Sequence, residues 1–321
     1  SASISNCSSG SIGRSPSVDR RTGLGPPRGG AAPRHRSDNL IDLHLHTTAS
    51  DGRLAPTDLV ARAHDAGVRT LSVTDHDTMS GVPAAARAAT ELGLEFLPGV
   101  EITAVFEQRD VHLLGYFLDP SPPALESFLQ SQRADRITRA RAMSEKLDEL
   151  GVPIAIEPII ESAVAEGRAV ARPLLARALV AAGHASSLRE AFDRWIGDGR
   201  TAYVPRTGSS PADVVRLVSR AGGVCSIAHP RLLNRDHLVP SLAKAGLAAI
   251  EVYHPEHDRS AQQHYRQLAV QHDLAVSGGS DFHGDDHHRA SSLGSVGVPQ
   301  EAFIPLLQRL VVAHSVVHGG Q

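Results

Sequence analysis

Seven segments spread between Asp42 and His283 end in metal-binding side chains, and each follows a short apolar run of strand character. They carry His44 and His46; Asp75, His76 and Asp77; Glu101; His112; His229; His254; and Asp281 with His283. One histidine after one strand carries little information. Seven such ends, repeated through an alternation of strands and helices, point to a fold in which many strand ends open on one mouth. That mouth would hold a cluster of hard or borderline cations.

The alternation can be followed along the chain. Asp42, His44 and His46 interleave with Ile41, Leu43 and Leu45, a period of two that predicts a strand with both imidazoles on one face. Residues 56–66 read as a helix, with Pro56 in its first turn and Gly67 as its stop. Residues 69–73, 94–97, 111–117, 223–228, 247–253 and 274–277 read as further strands, with helices at 82–92, 238–245 and 260–272. Short buried strands alternating with helices predict parallel pairing in an α/β fold. Functional residues at nearly every strand end favour a barrel over an open sheet. The open sheet would concentrate function at one switch point and want a Gly-x-Gly-x-x-Gly turn after the first strand. That turn is absent.

Residues 121–205 lack strand signals and read as helices at 129–150, 159–165, 173–182 and 188–196. The domain plan is therefore a barrel from 38–120 and 206–321, with 121–205 as a small helical domain inserted over the mouth as a lid. Arg133, Arg136, Arg139 and Arg141 read as a solvated helix face, from which some side chains reach towards a substrate phosphate. Residues 1–37, rich in Ser, Gly, Pro and Arg, read as a disordered tail. Their composition superficially matches a transit peptide, but Pro26, Pro27 and the glycines oppose an amphipathic helix.

Composition limits the chemistry. The chain of 321 residues has 18 histidines but only Cys7 and Cys225, so imidazole and carboxylate must do any metal binding. No disulfide framework or cysteine-based zinc site is available, which suits a reducing cytoplasm. No apolar run approaches the length of a bilayer span, so no membrane association is expected. The net charge is −3, and residues 1–36 hold six arginines against one aspartate. The remainder is therefore acidic by about eight charges, which disfavours generic binding to long nucleic acid. Cations at the mouth would offset that, so the balance leans towards small phosphorylated substrates and leaves short oligonucleotides open.

Histidines two residues apart on a strand present two imidazoles to one ion. Asp75 and His76 offer a second site, Glu101 has two oxygens with which to bridge ions, and Asp281 with His283 adds a carboxylate and an imidazole. So large a mixed set exceeds the needs of one ion and fits two or three. Closely spaced cations hold a hydroxide at neutral pH and clamp the attacking and leaving oxygens of a phosphate ester. The chemistry expected is metal-assisted hydrolysis.

Asp-Leu-His-Leu-His at 42–46, Ser-Asp-Gly at 50–52, Thr-Asp-His-Asp-Thr at 74–78, Pro-Gly-Val-Glu at 98–101 and His-Leu-Leu-Gly-Tyr at 112–116 stand in order. Ala-His-Pro at 228–230, Glu-Val-Tyr-His-Pro at 251–255 and Gly-Ser-Asp-Phe-His-Gly at 279–284 follow. This series resembles the polymerase and histidinol phosphatase (PHP) family over about 39–298. Within it the series is similar to bacterial phosphoesterases acting on nucleoside 3′,5′-bisphosphates (phosphatases) or on short 5′-phosphorylated RNA or DNA (5′→3′ exoribonucleases). The resemblance implies a distorted seven-stranded, TIM-like β/α barrel with three divalent cations, Mn²⁺ first and Zn²⁺, Fe²⁺ or Mg²⁺ as alternatives. By matching motif, His44, His46, Glu101 and Asp281 would hold one ion. Asp51, His76 and His283 would hold the second, and Glu101, His112 and His229 the third, with Asp75 orienting a ligand from behind.

The mechanism expected is in-line attack on phosphorus by a metal-bridging hydroxide, with arginines stabilising the spreading charge. Arg172 and Arg206 are the candidates for binding phosphate through a guanidinium fork. His254 or His257 would contact phosphate, and His254 would protonate the leaving oxygen. Two departures bear on substrate choice: Leu174 stands where such relatives commonly carry His, and Thr201 and Arg206 replace Pro and Lys in the Gly-Arg-Pro-Ala-Tyr-Val-Pro-Lys pattern. The substrate expected is a small phosphorylated nucleotide or short 5′-phosphorylated oligonucleotide, with no stable protein partner. Histidinol-phosphate phosphatase is an alternative that the insert disfavours, and a non-catalytic metal-bearing module is another. An amidohydrolase would want a bridging lysine, and Lys146 and Lys244 lie on helices.

Overall fold

The computed structural model describes residues 40–285, 287 and 289–319, so the expected tail 1–37 lies outside the described residues. β1 (Leu40–Leu45), α1 (Pro56–Asp65), β2 (Val68–Val73), α2 (Val82–Glu91) and β3 (Glu95–Phe96) form the first β/α run. β4 (Gly99–Phe106) and β5 (Arg109–Tyr116) lead into helices α3 (Pro123–Glu149), α4 (Glu157–Ala165), α5 (Arg172–Ala181) and α6 (Leu188–Ala191). α7 (Pro211–Arg220), β6 (Val224–Ile227), α8 (Pro230–Leu233), α9 (Val239–Ala245) and β7 (Ala249–Tyr253) follow. α10 (Arg259–Gln271), β8 (Ala275–Gly278) and α11 (Gln300–His318) complete the order. Local chemistry accounts for several boundaries. Pro56 opens α1, Ser210 accepts from Asp213 N at the start of α7, and Asp258 accepts from Ala261 N at the start of α10.

The strands form two sheets, β1-β2-β3 and β4-β5-β6-β7-β8. Parallel pairing holds for β1/β2, β2/β3, β6/β7 and β7/β8, but β4/β5 and β5/β6 are antiparallel. The expectation of parallel strands throughout is corrected there. Glu107 and Gln108, with φ of 47° and 61°, turn Phe106 directly onto Arg109, the two-residue hairpin that needs positive φ at both central positions. Isolated bridges join Leu45 to Phe282 and His76 to Glu101, in parallel sense, across the two sheets' ends.

Apolar faces of the sheets and helices pack in contiguous cores, including Val100, Ile102, Leu113, Val214, Val218, Ile250 and Val252 under β4–β7. Helices α3 to α6 share a core of their own around Met143, Leu147, Ile160, Leu175, Leu179 and Ile196, with Phe192 and Trp195 packed against it. α3 is anchored at its other end by Leu125 and Leu129, which belong to the sheet core. Helices α7 and α11 were not expected from the sequence. No helix among the described residues is long and apolar enough to cross a membrane.

Candidate metal centre

The centre is built where the strands end. β1 sends His44 and His46 inward, and the chain then folds back so that Ser50 N and Gly52 N both donate to Thr47 O, which sets Asp51 beside His46. Asp75 builds this loop. It accepts from Thr47 N at 2.8 Å, Thr47 Oγ1 at 2.6 Å and Ser50 Oγ at 2.6 Å, and so reaches the ligands through the loop instead of through an imidazole ring. The bridge between His76 and Glu101 sets those two side by side. His229 and Asp281 have φ of 28° and 48°, left-handed values that non-glycine residues adopt at some cost and that cluster at functional sites. Gly279 lets the segment after β8 approach β1: a Cβ there would stand 2.4 Å from His44 N.

Glu101 lies at the middle. Its Oε2 is 3.3, 3.2 and 3.2 Å from His44 Nε2, His46 Nε2 and His76 Nδ1. Its Oε1 is 2.8 and 3.2 Å from His112 Nδ1 and His229 Nε2. Asp281 Oδ1 is 3.3–3.5 Å from ring nitrogens of His44, His46 and His283, and Asp51 Oδ1 is 3.4 Å from His283 Nε2. Three overlapping groups have ligand atoms within 4.8 Å of one another: His46, Asp51, His76 and His283; His44, His46 and Asp281; His76, Glu101 and His112. Eight of the nine candidate ligands named from the sequence fall in these groups, His46 and His76 in two each, and His229 joins them through Glu101 Oε1.

The donor set fits divalent cations. Nδ1 of His46 and Nδ1 of His76 are buried without a hydrogen-bond partner among the described residues. His44 Nδ1 donates to Glu251 at 2.9 Å and His283 Nδ1 to the Asp281 carbonyl at 2.9 Å, which fixes each tautomer and leaves Nε2 as the ligand atom. Burial opposes ionisation of Glu101, Asp51 and Asp281, yet neighbouring imidazoles, and Arg289 for Asp281, hold all three well below the usual carboxylate range. Burial equally opposes charge on His46, but Asp281 and Glu101 push it up to about 10. His76, by contrast, is driven down to about 3, mainly by burial. Carboxylates this deeply buried require positive charge among them, and metal ions would supply it.

Four arginines stand beside the His112 edge. Arg136 and Arg139 are buried, which corrects the reading of their helix face as solvated; Arg133 and Arg141 pair outwards, with Glu126 and Glu157. Arg136 Nε bonds Asp77 at 2.6 Å, and Arg139 Nε donates to Val204 O. Arg206 is buried at 3.5 Å from Asp77 and 3.7 Å from Asp110, too far for good hydrogen bonds, and its Nε and Nη1 have no hydrogen-bond partner among the described residues. Burial, then the adjacent Arg136, pushes its pKa down to about 10. Arg172 bonds Asp198 at 2.6 Å and lies 3.8 Å from Asp110. It also lines a cleft of ≈ 230 Å³ with His112, His229 and Leu233.

The expected acid is the exception. His254 Nδ1 accepts from Glu256 N at 3.1 Å and Nε2 lies 3.2 Å from Asp281 Oδ2, so neither nitrogen is left for a leaving oxygen. His257 is buried behind it, with Nδ1 donating to Val252 O at 2.9 Å. Sequence reasoning missed Glu251, which also accepts from His229 N at 2.6 Å, and Asp42, which accepts from Ser280 N at 2.9 Å. Both were visible as polar residues on the inward face of otherwise apolar strands.

The PHP domain family matches residues 42–167. A 5′-3′ exoribonuclease of Haemophilus influenzae is 37% identical over 247 residues, covering 75% of this chain and 89% of that protein. A 3′,5′-nucleoside bisphosphate phosphatase of Chromobacterium violaceum is 34% identical over 248 residues, 76% of this chain and 87% of that protein. Among solved structures, a presumed metal-dependent phosphoesterase from Bifidobacterium adolescentis superposes with a TM-score of 0.76 at 33% identity, over 85% of this chain and 96% of that one.

Proposed function

The chain belongs to the PHP family, as a metal-dependent phosphoesterase, and we propose that it hydrolyses nucleoside 3′,5′-bisphosphates or short 5′-phosphorylated oligonucleotides. The observation that carries the substrate is the position of Arg172. It lines the cleft of His112 and His229 and also the pocket of Arg136, Arg139 and Arg206. One phosphate at the ligand cluster would leave a second within reach of guanidinium forks. The relatives named for exoribonuclease and bisphosphate phosphatase activity support the same reading.

We assign three divalent cations, Mn²⁺ first, with Zn²⁺, Fe²⁺ or Mg²⁺ as alternatives, to His44, His46, Asp51, His76, Glu101, His112, His229, Asp281 and His283. Bound there, they would polarise the phosphate and lower the pKa of water. Around them the protein's own groups divide the work. Glu101 faces imidazoles with both oxygens, Glu251 keeps the proton of His44 on Nδ1, and Asp75 fixes the loop of Asp51. Arg172 and Arg206 would orient the second phosphate and spread transition-state charge. The bridges between the sheets support reading the strands as one distorted barrel; the separate core of α3–α6 and the bond from Ala169 N to Ala49 O, beside Asp51, support 121–205 as a lid.

A Mn²⁺-supplemented phosphate-release panel tests this: a nucleoside 3′,5′-bisphosphate, short 5′-phosphorylated RNA, histidinol phosphate and an aryl phosphate. The bisphosphate or RNA should exceed the aryl ester in kcat/KM by about tenfold or more, the worth of one charged hydrogen bond. Preference for histidinol phosphate would overturn the substrate.

A further inference from the structure

After β8 the chain passes Asp281 and His283 and returns through residues 289–295. Arg289 Nη1 donates to Asp281 Oδ2, and His254 Nε2 lies 3.2 Å from the same oxygen. Asp281 Oδ1 faces the other way, towards His44, His46 and His283. The carboxylate is therefore divided, one oxygen for the ligand cluster and one for two protein donors. We propose that Arg289 is a positioning residue that restricts Asp281 to one-oxygen binding of its ion. The inference rests on the metal centre described under the proposed function.

The consequence for chemistry is coordination space. A carboxylate that binds an ion through both oxygens fills two positions; one whose second oxygen is held elsewhere fills one. The position kept open is what a hydrolytic metal site needs for water or a phosphate oxygen. A guanidinium suits the task because it is permanently charged and planar, and it cannot be silenced by burial as a lysine can.

The loop is built to hold it. Ser292, buried, donates through Oγ to Ser280 O at 3.0 Å and also contacts the Arg289 carbonyl, while Ser292 N donates to the same carbonyl at 3.0 Å. Arg289 is thus tied to the residue immediately before Asp281. Its side chain is only 14% exposed and that of Asp281 only 4%, which separates the pair from an ordinary surface ion pair. Glu256 stands 3.7 Å from Arg289 Nε, close enough for charge attraction but not for a hydrogen bond.

The test compares wild type with Arg289→Ala and Arg289→Lys by Mn²⁺ titration calorimetry without substrate, and by kcat and KM at saturating Mn²⁺. In Arg289→Ala, Asp281 is free to close both oxygens on the ion. Mn²⁺ affinity should be unchanged or tighter, while kcat falls about 10–100-fold and KM stays within about twofold. Arg289→Lys restores one donor and should recover kcat to within about tenfold of wild type. Weaker Mn²⁺ binding in Arg289→Ala would make the residue a structural support and overturn the proposal. A raised KM at unchanged kcat would make it a substrate contact, and no change at all would make it a surface pair; either result overturns it. Wild-type protein that takes up no Mn²⁺ removes the premise itself, an outcome separate from the variants.

Discussion

Replacing Glu251 with glutamine removes a charge and almost no volume, and its effect can be worked out atom by atom. Glu251 is fully buried, with Oε1 accepting from His44 Nδ1 at 2.9 Å and Oε2 from His229 N at 2.6 Å. A carboxylate serves both because each oxygen accepts; a glutamine offers one acceptor and one donor. If its oxygen keeps His44, its amide group meets the His229 N–H, donor against donor. If it flips, the amide faces His44 Nδ1 and drives the ring proton onto Nε2, the atom directed at Glu101 and Asp281. The first arrangement leaves a buried donor without its partner, and the second puts a proton on the nitrogen that faces the ion; each is worth about 1–3 kcal/mol. At about 1.4 kcal/mol per decade that is roughly 10–100-fold, the range seen when carboxylates behind ligating imidazoles are lost. Glu251→Gln should therefore weaken Mn²⁺ binding in calorimetry and slow phosphate release by that factor. Metal-free protein should also melt lower, by about 2–4 °C per kcal/mol. Mn²⁺ affinity and rate both within twofold of wild type would refute the argument that Glu251 fixes the His44 tautomer.

Further outcomes follow from other parts of the site. His76→Ala removes an imidazole shared by two ligand groups, so phosphate release should fall at least about 100-fold with the metal-free melting temperature nearly unchanged; full activity would exclude His76 from the centre. Burial raises the pKa of Asp77, but Arg136 and Arg206 outweigh it and hold the group below 3.8. The folded value lies below the unfolded one, so this contribution is complete above about pH 4 and fades as the pH falls further. Asp77→Asn should cost about 3 kcal/mol at pH 7 and flatten the acid limb of the melting curve; a wild-type acid profile would contradict it. Asp198 holds Arg172 from an exposed loop, so Asp198→Asn should lower KM for a bisphosphate by up to about fivefold at unchanged kcat, and a raised KM would show that Asp198 helps binding.

Much of this was readable because the signals were local. The period of two in β1 put His44 and His46 on one face, and Pro56 marked the start of α1 where the helix begins. What escaped depended on contacts from elsewhere. The hairpin between β4 and β5 turns on Glu107 and Gln108, residues without the Gly or Asn that normally announces such a turn. Helical periodicity placed Arg136 and Arg139 on α3 but cannot say that Asp77 and the carbonyl of Val204 cover them. His254 carried the same strand-end signature as the ligands. Only the positions of Glu256 N and Asp281 show that both its nitrogens are taken.

The seam between β1 and the segment after β8 bears on how the protein is made. Ser280 N donates to Asp42 across 238 residues of chain, and His46 N donates to Phe282 O at 3.0 Å. During translation the two histidines of β1 leave the ribosome long before Asp281 and His283 exist to join them. Closing so long a loop is the slow part of assembly. A full complement of cations therefore certifies a finished polypeptide: nascent chains arrested before residue 279 lack Asp281 and His283 and should retain fewer Mn²⁺ ions through gel filtration than the finished chain, however much secondary structure they already have.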